Sequence, residues 1–331
     1  MGPMGRHDMK TTMTALLALA AAPALADGHA VQWDMPMAYA ASNFHSEMGA
    51  QFADRVREYT DGAVDITVHA GGSLFGGGEI KRAIQTGQVP IGERLMSAHA
   101  NEDPILAWDN VPFVATSFDE NEALWQAAKP TVEETLAEQN LRVLYTCPWP
   151  GQGFYFNKPV DSSDDTQGVK FRSYNTATAT FAEALGMVPV QVEAAELSQA
   201  LATGVAEAFI SSGATGYDRK VWEHLSHYYK VNAWMPRNYV MVNAGAWDDL
   251  SDEARAGIEQ AAAETGEACR ARSEELTNFY FDELEKNGMT VTDASGAFAD
   301  ELQEIGASMQ EQWLADTGEA GQAIMDAYMA N

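Results

Sequence analysis

The stretch that most constrains this chain runs from Gly168 to Tyr217. Val169–Tyr174 is a short β-rich run carrying Arg172, and residues 178–185 read as a helix closed by Gly186, a residue that tolerates the left-handed turn ending many helices. Residues 188–192 read as a second strand, 194–203 as a second helix closed by Gly204, and Val205–Ile210 as a third apolar run too short for a helix. Strands alternating with helices of about ten residues predict a parallel sheet with covered faces. Ligands of such sheets bind outside the carboxyl ends of the strands. Arg172 lies near one of those ends, and Ser211 and Ser212 lie at another.

An arginine in that place has two readings. One is an interdomain ion pair. The other is a fork of fixed N–H donors aimed at a carboxylate, which guanidinium matches with two bonds at once. The words around Arg172 favour the second. The segments Gly168-Val169-Lys170-Phe171-Arg172, Leu185-Gly186-Met187-Val188-Pro189-Val190 and Ala200-Leu201-Ala202-Thr203-Gly204-Val205-Ala206-Glu207-Ala208 follow one another in order. Together they resemble the solute-binding proteins of tripartite ATP-independent periplasmic (TRAP) transporters, the dicarboxylate-binding-subunit family. The resemblance implies an α/β, two-lobed periplasmic-binding-protein fold with crossing strands and a long helix spanning both lobes. It makes Arg172 the anchor of a ligand carboxylate. It also implies a pair of integral membrane permease subunits driven by an ion gradient.

The chain has 331 residues and a formal charge of −28. Such acidity argues against a nucleic-acid partner, which needs basic patches. It also repels an anionic ligand, so a local cationic pocket has to overcome the global field. Residues 1–26 read as a secretory signal: Arg6 and Lys10 open it, Ala15–Ala22 is its short apolar core, and Ala24-Leu25-Ala26 offers a cleavage point. That core is well short of the roughly twenty apolar residues a membrane anchor needs. The expected compartment is the periplasm. Cleavage would leave Asp27-Gly28-His29, which offers a square-planar donor set for Cu(II) or Ni(II); we favour a frayed terminus instead.

The remaining chain predicts lobe I over 27–146, joined by about 236–250, and lobe II over 147–235 with the C-terminal helices contributing. A spanning helix follows over 251–287, then a strand and helices over 288–331. Residues 43–59 show helical spacing, residues 63–70 alternate as a strand, and the glycine-rich run 71–78 satisfies neither phosphate-loop pattern. Residues 220–229 read as a helix placing His224 and His227 three apart, without a third ligand for zinc. For Cys147 and Cys269 we expect two separate buried thiols, a disulfide being the alternative in an oxidising compartment.

The candidate ligand-binding residues are Arg172, Arg94, Gln152, Trp149, Phe154, Ser211, Ser212, Tyr217, Trp33 and Asn238. Arg94 is either a second cation for the ligand or the partner of Glu93 or Asp34. Gln152 stands where many members of the resembled family carry a second ligand-binding arginine, and Ser211 where they carry asparagine. A carboxylate is still held, but a C4-dicarboxylate is not to be assumed. The aromatic residues point to a hydroxy, oxo or aromatic acid, with a sulfonate second. No cofactor or metal is expected. The functional expectation is an extracytoplasmic receptor that delivers an organic acid to a permease. The alternatives are a sensor-input protein for a membrane kinase and an exported hydrolase, although neither G-x-S-x-G nor H-E-x-x-H occurs.

Overall fold

The computed structural model describes residues 1–2 and 30–330. The expected signal segment and the Asp27-Gly28-His29 terminus lie largely or wholly outside the described residues. In chain order the elements are β1 (Val31–Pro36), α1 (Phe44–Tyr59), β2 (Val64–His69), α2 (Ile80–Gln85), β3 (Ile91–Leu95), α3 (Phe118–Ala137), β4 (Leu141–Pro148) and β5 (Gly153–Phe156). Then come β6 (Lys170–Ser173), α4 (Thr176–Ala184), β7 (Val188–Gln191), α5 (Leu197–Ala202), β8 (Ala208–Ser211), α6 (Gly213–Asp218), β9 (His227–Lys230) and β10 (Arg237–Asn243). The chain ends with α7 (Ala244–Asp248), α8 (Asp252–Lys286), β11 (Thr290–Asp293) and α9 (Gly296–Met329).

Lobe I is built on the antiparallel order β3-β10-β4, with the parallel pair β1-β2 beside it. Strand β10 shows why a sheet sits there. Its side chains alternate, Tyr239 and Met241 entering one core with Trp108 and Trp125, Val240 and Val242 entering the other with Phe52 and Val56. Helix α1 starts where the Asn43 side chain accepts from the His45 N–H, and its buried face of Met48, Phe52 and Val56 follows helical spacing.

Lobe II carries the order β11-β9-β5-β8-β6-β7. This sheet is mixed and not parallel throughout: β6 runs parallel to β7 and β8, but β5 is antiparallel to both β8 and β9. Strand β5 enters from lobe I and feeds no crossover helix, so it is free to run against its neighbours. A second departure concerns residues 220–229, expected as a helix. Lys220 takes a left-handed backbone (φ 48°), and β9 follows. There Tyr228 enters one core and Tyr229 packs on the other, a period of two that a helix cannot serve.

Two segments cross between the lobes and hydrogen-bond to each other. The Trp149 N–H donates to the Pro236 carbonyl at 2.8 Å, and the Gln152 N–H to the Trp234 carbonyl at 3.0 Å. Behind them lies α8, 35 residues long and unbroken at Gly266. At 1.5 Å per residue it extends about 52 Å. It packs on α1 and β4 of lobe I and on α6 and β11 of lobe II. A Cβ at Gly266 would meet that of Tyr145 at 3.3 Å, so the helix lies close on β4. One turn further on, Cys269 is bonded to Cys147 of β4, with Cα atoms 5.6 Å apart. The expectation of two separate thiols is corrected: the close approach of α8 brings the pair within bridging range.

Candidate functional site

A small cavity lies where the two lobes meet, at the carboxyl ends of the strands. Lobe I contributes Arg94 and Leu95 from β3, with Tyr39; lobe II contributes Arg172, Tyr174, Glu193, Ser211 and Thr215; the crossing segments add Trp149, Gln152 and Pro236. The space open to the centres of water-sized spheres is about 40 Å³. One water needs roughly 10–15 Å³ on that measure, so the cavity suits a compact molecule of a few such volumes.

Arg172 is the element around which the site is arranged. Its backbone belongs to β6 and its side chain is 3% exposed. The Nε–H donates to the Val192 carbonyl at 2.8 Å, and the guanidinium lies 5.1 Å from the centroid of the Tyr174 ring. No carboxylate among the described residues lies within ion-pair distance of it. Burial lowers its pKa to about 10, so the group stays cationic at neutral pH. A buried, uncompensated charge is unfavourable unless something anionic answers it.

Arg94 is compensated. Its Nη2 and Nη1 donate to Glu193 at 3.1 and 3.3 Å, and its Nε to His99 Nε2 at 3.3 Å. Neither partner weighed from the sequence is used: Glu93 turns to His45, with Oε1 and Nδ1 3.0 Å apart, and Asp34 pairs with His69. His99 has a pKa lowered to about 4, first by burial and then by the Arg94 charge. It is therefore a neutral acceptor. Burial also raises the Tyr39 phenol, and it pushes Tyr174 up to about 12, so both remain O–H donors.

Of the candidate residues, Arg172, Arg94, Trp149, Gln152 and Ser211 line the cavity. Gln152 spends its amide locally: Nε2 donates to the Pro150 carbonyl and Oε1 accepts from the Tyr174 hydroxyl at 3.4 Å. Ser211 Oγ donates to Thr215 at 2.8 Å. Five candidates lie elsewhere. Trp33 belongs to the lobe I core with Met35 and Phe52. Phe154 points into the lobe II core with Phe156, Phe171 and Phe298, because successive residues of β5 alternate faces. Ser212 is buried, its carbonyl accepting from the Tyr155 hydroxyl. Tyr217 packs on Phe279 and Tyr280 of α8 and is not part of the cavity lining. Asn238 sits behind the wall, accepting from Trp149 Nε1 at 2.8 Å.

Sequence reasoning missed Tyr39, Tyr174, Glu193 and Thr215. Two of these had a signal: Tyr174 follows Arg172 by two, the strand period, and Glu193 follows the end of β7. Among the described residues, His45, Cys147 and Cys269 bring donor atoms within 4.8 Å of one another. The two sulfurs are bonded together, so that set offers no thiolate to a metal.

Residues 37–316 match the family described as bacterial extracellular solute-binding protein, family 7 (DctP). A curated relative, the C4-dicarboxylate-binding periplasmic protein DctP of Rhodobacter capsulatus, is 28% identical over 76% of each chain. Among solved structures, a TRAP solute-binding protein specific for pyroglutamate from an unidentified marine microbe is 69% identical. It covers 91% of this chain and 99% of its own, with a TM-score of 0.91. DctP6 of Bordetella pertussis, an extracytoplasmic solute receptor binding pyroglutamic acid, is 40% identical over 91% of this chain and 100% of its own, with a TM-score of 0.89. With both the sequence family and the two-lobed architecture in agreement, the chain belongs to the family 7 solute-binding proteins and is an extracytoplasmic solute receptor of a TRAP-type transporter.

Proposed function

We propose that the receptor binds pyroglutamate, or a compact lactam acid like it, in the cavity between its lobes, and delivers it to a membrane permease. The observation that carries this reading is Arg172, a buried guanidinium facing the cavity without a carboxylate of its own. A ligand carboxylate supplies the missing charge and accepts two parallel N–H bonds, which a lysine could not reproduce. The rest of pyroglutamate is a five-membered ring with one N–H and one carbonyl. That inventory suits a wall of phenol and hydroxyl groups, namely Tyr39, Tyr174, Ser211 and Thr215, beside the Trp149 ring. Support for the solute itself comes from relatives at 69%, 40% and 38% identity that are described as binding pyroglutamate or pyroglutamic acid.

In this reading lobe I (27–146) and lobe II (147–235) close about the crossing segments, the hinge motion that commonly encloses ligands. Export by the segment 1–26 would place the receptor in the periplasm beside its permease. The test is calorimetric titration of chain beginning at Asp27 with pyroglutamate and a panel of carboxylic and sulfonic acids. Saturable one-site binding of pyroglutamate is expected. Heat from sulfonates alone would keep the guanidinium anchor and replace the solute. No heat from any acid would overturn the reading.

A further inference from the structure

We propose that Glu193 is a specificity-determining residue, setting the charge of the cavity so that it admits a monoanion and disfavours a dianion. The inference rests on the carboxylate reading of the preceding subsection and adds what that reading leaves open. Two buried guanidiniums face the cavity, but Glu193 hydrogen-bonds directly only to Arg94, with both carboxylate oxygens at 3.1 and 3.3 Å, and reaches Arg172 only as a more distant charge. The wall therefore carries two positive charges and one negative, a surplus of one.

Three features hold that arrangement. Arg94 comes from the end of β3 in lobe I and Glu193 from just beyond β7 in lobe II, so the pair spans the cleft. Neutral His99 takes the Arg94 Nε–H at 3.3 Å, leaving the terminal nitrogens turned to Glu193. The glycine-rich run closes over the pair: a Cβ at Gly77 would stand 2.8 Å from both Arg94 Nη1 and Glu193 Oε2. This glycine is a matter of close approach and not of a positive φ. It gives the run 71–78 a task that its sequence did not disclose.

A ligand with one carboxylate and a neutral carbonyl meets Arg172 and leaves Glu193 undisturbed. A ligand with two carboxylates must either displace Glu193 from Arg94 or lie beside it as a like charge, and specificity is often gained by such a repulsive element. Glu193 is 37% exposed, so solvent moderates the repulsion.

The test compares pyroglutamate with glutarate, a dianion of the same carbon count, by calorimetry on wild type, Glu193→Gln, Glu193→Asp and Arg94→Gln. Within each variant the ratio of the two affinities cancels any general loss of stability. Glu193→Gln is expected to shift the ratio towards glutarate by about tenfold or more. Glu193→Asp keeps the charge and should keep the wild-type ratio. Arg94→Gln leaves Glu193 uncompensated and should shift the ratio the opposite way. A Glu193→Gln ratio within about threefold of wild type overturns the filter. If wild type binds neither acid, the carboxylate reading itself fails, an outcome distinct from the filter failing alone.

Discussion

Two arginines on strands leading to the cleft are buried alike, Arg172 at 3% exposure and Arg237 at 2%, and burial lowers the pKa of both. Their surroundings differ. Arg237 points away from the cavity towards α3: Nε donates to Asn121 at 2.8 Å, Nη1 to Thr146 at 2.9 Å and Nη2 to Glu122 at 2.6 Å. Its own N–H donates to Asp109 at 2.7 Å. Every face of that guanidinium meets protein, and it ties β10 to α3 and β4. Arg172 has one carbonyl, one aromatic face and the cavity. Burial alone does not mark a ligand anchor. What sets the proposed anchor apart is a guanidinium that faces the cavity with no carboxylate paired to it.

The comparison breaks most visibly if the two residues are exchanged in role. Arg172→Gln is expected to weaken binding of the acid by about thirtyfold to several thousandfold, because truncating one partner of a buried charge pair costs about 2–5 kcal/mol. Its melting temperature should hold or rise, since a buried charge without a partner is removed. Calorimetry and thermal unfolding on the same sample check both halves. Wild-type affinity in Arg172→Gln would place the anchor elsewhere. Arg237→Met is expected to do the reverse. It strands Asn121, Thr146 and Glu122, at a cost of about 3 kcal/mol of stability by denaturant unfolding. Affinity in its folded fraction should stay within about threefold.

A finer cut is Arg172→Lys. The charge remains, but a compact ammonium cannot make the planar two-bond contact nor keep the Val192 carbonyl and the ligand together. Affinity should fall about ten- to a hundredfold, between wild type and Arg172→Gln. A fall as large as that of Arg172→Gln would mean that geometry, and not charge, dominates at this site.

The two arginines also show how much was legible in the sequence. Arg172 could be placed because strand-helix alternation locates the carboxyl ends of strands, and ordered family words flank it. Ser211 and Arg94 followed by the same logic. Glu193 was marked only by its place just after β7 and Tyr39 by nothing, because the contacts they make arise only when one lobe meets the other, which no local pattern encodes. Phe154 and Trp33 were overread: an aromatic residue on a strand points to one face or the other, and in β5 and β1 that face is the core. The same oversight hid β9, where adjacent tyrosines serve opposite faces. The bond between Cys147 and Cys269 depended on how closely α8 settles on β4, which the glycine at 266 permits but does not announce.

Arg94 stands between the two extremes, and its neighbour makes the difference measurable with pH. His99 accepts from Arg94 Nε only while neutral, and its folded pKa of about 4 lies below the ordinary 6.5. The unfolded chain therefore takes up this proton first as the medium acidifies. Stability from this group is complete above about 6.5 and is lost as pH falls towards 4. Between pH 7 and pH 5.5 the loss amounts to about 1 kcal/mol, attributable to His99 by subtraction of a variant. His99→Gln preserves an acceptor for Arg94 and cannot titrate, so the difference between wild type and variant should narrow by that amount across the window. Thermal or urea unfolding at the two pH values reads it. A parallel pair of curves would mean that His99 titrates normally and that Arg94 does not depend on its neutral form. A converging pair would place Arg94 as a cation held by two neighbours, where Arg237 is held by protein on all sides and Arg172 faces the cavity.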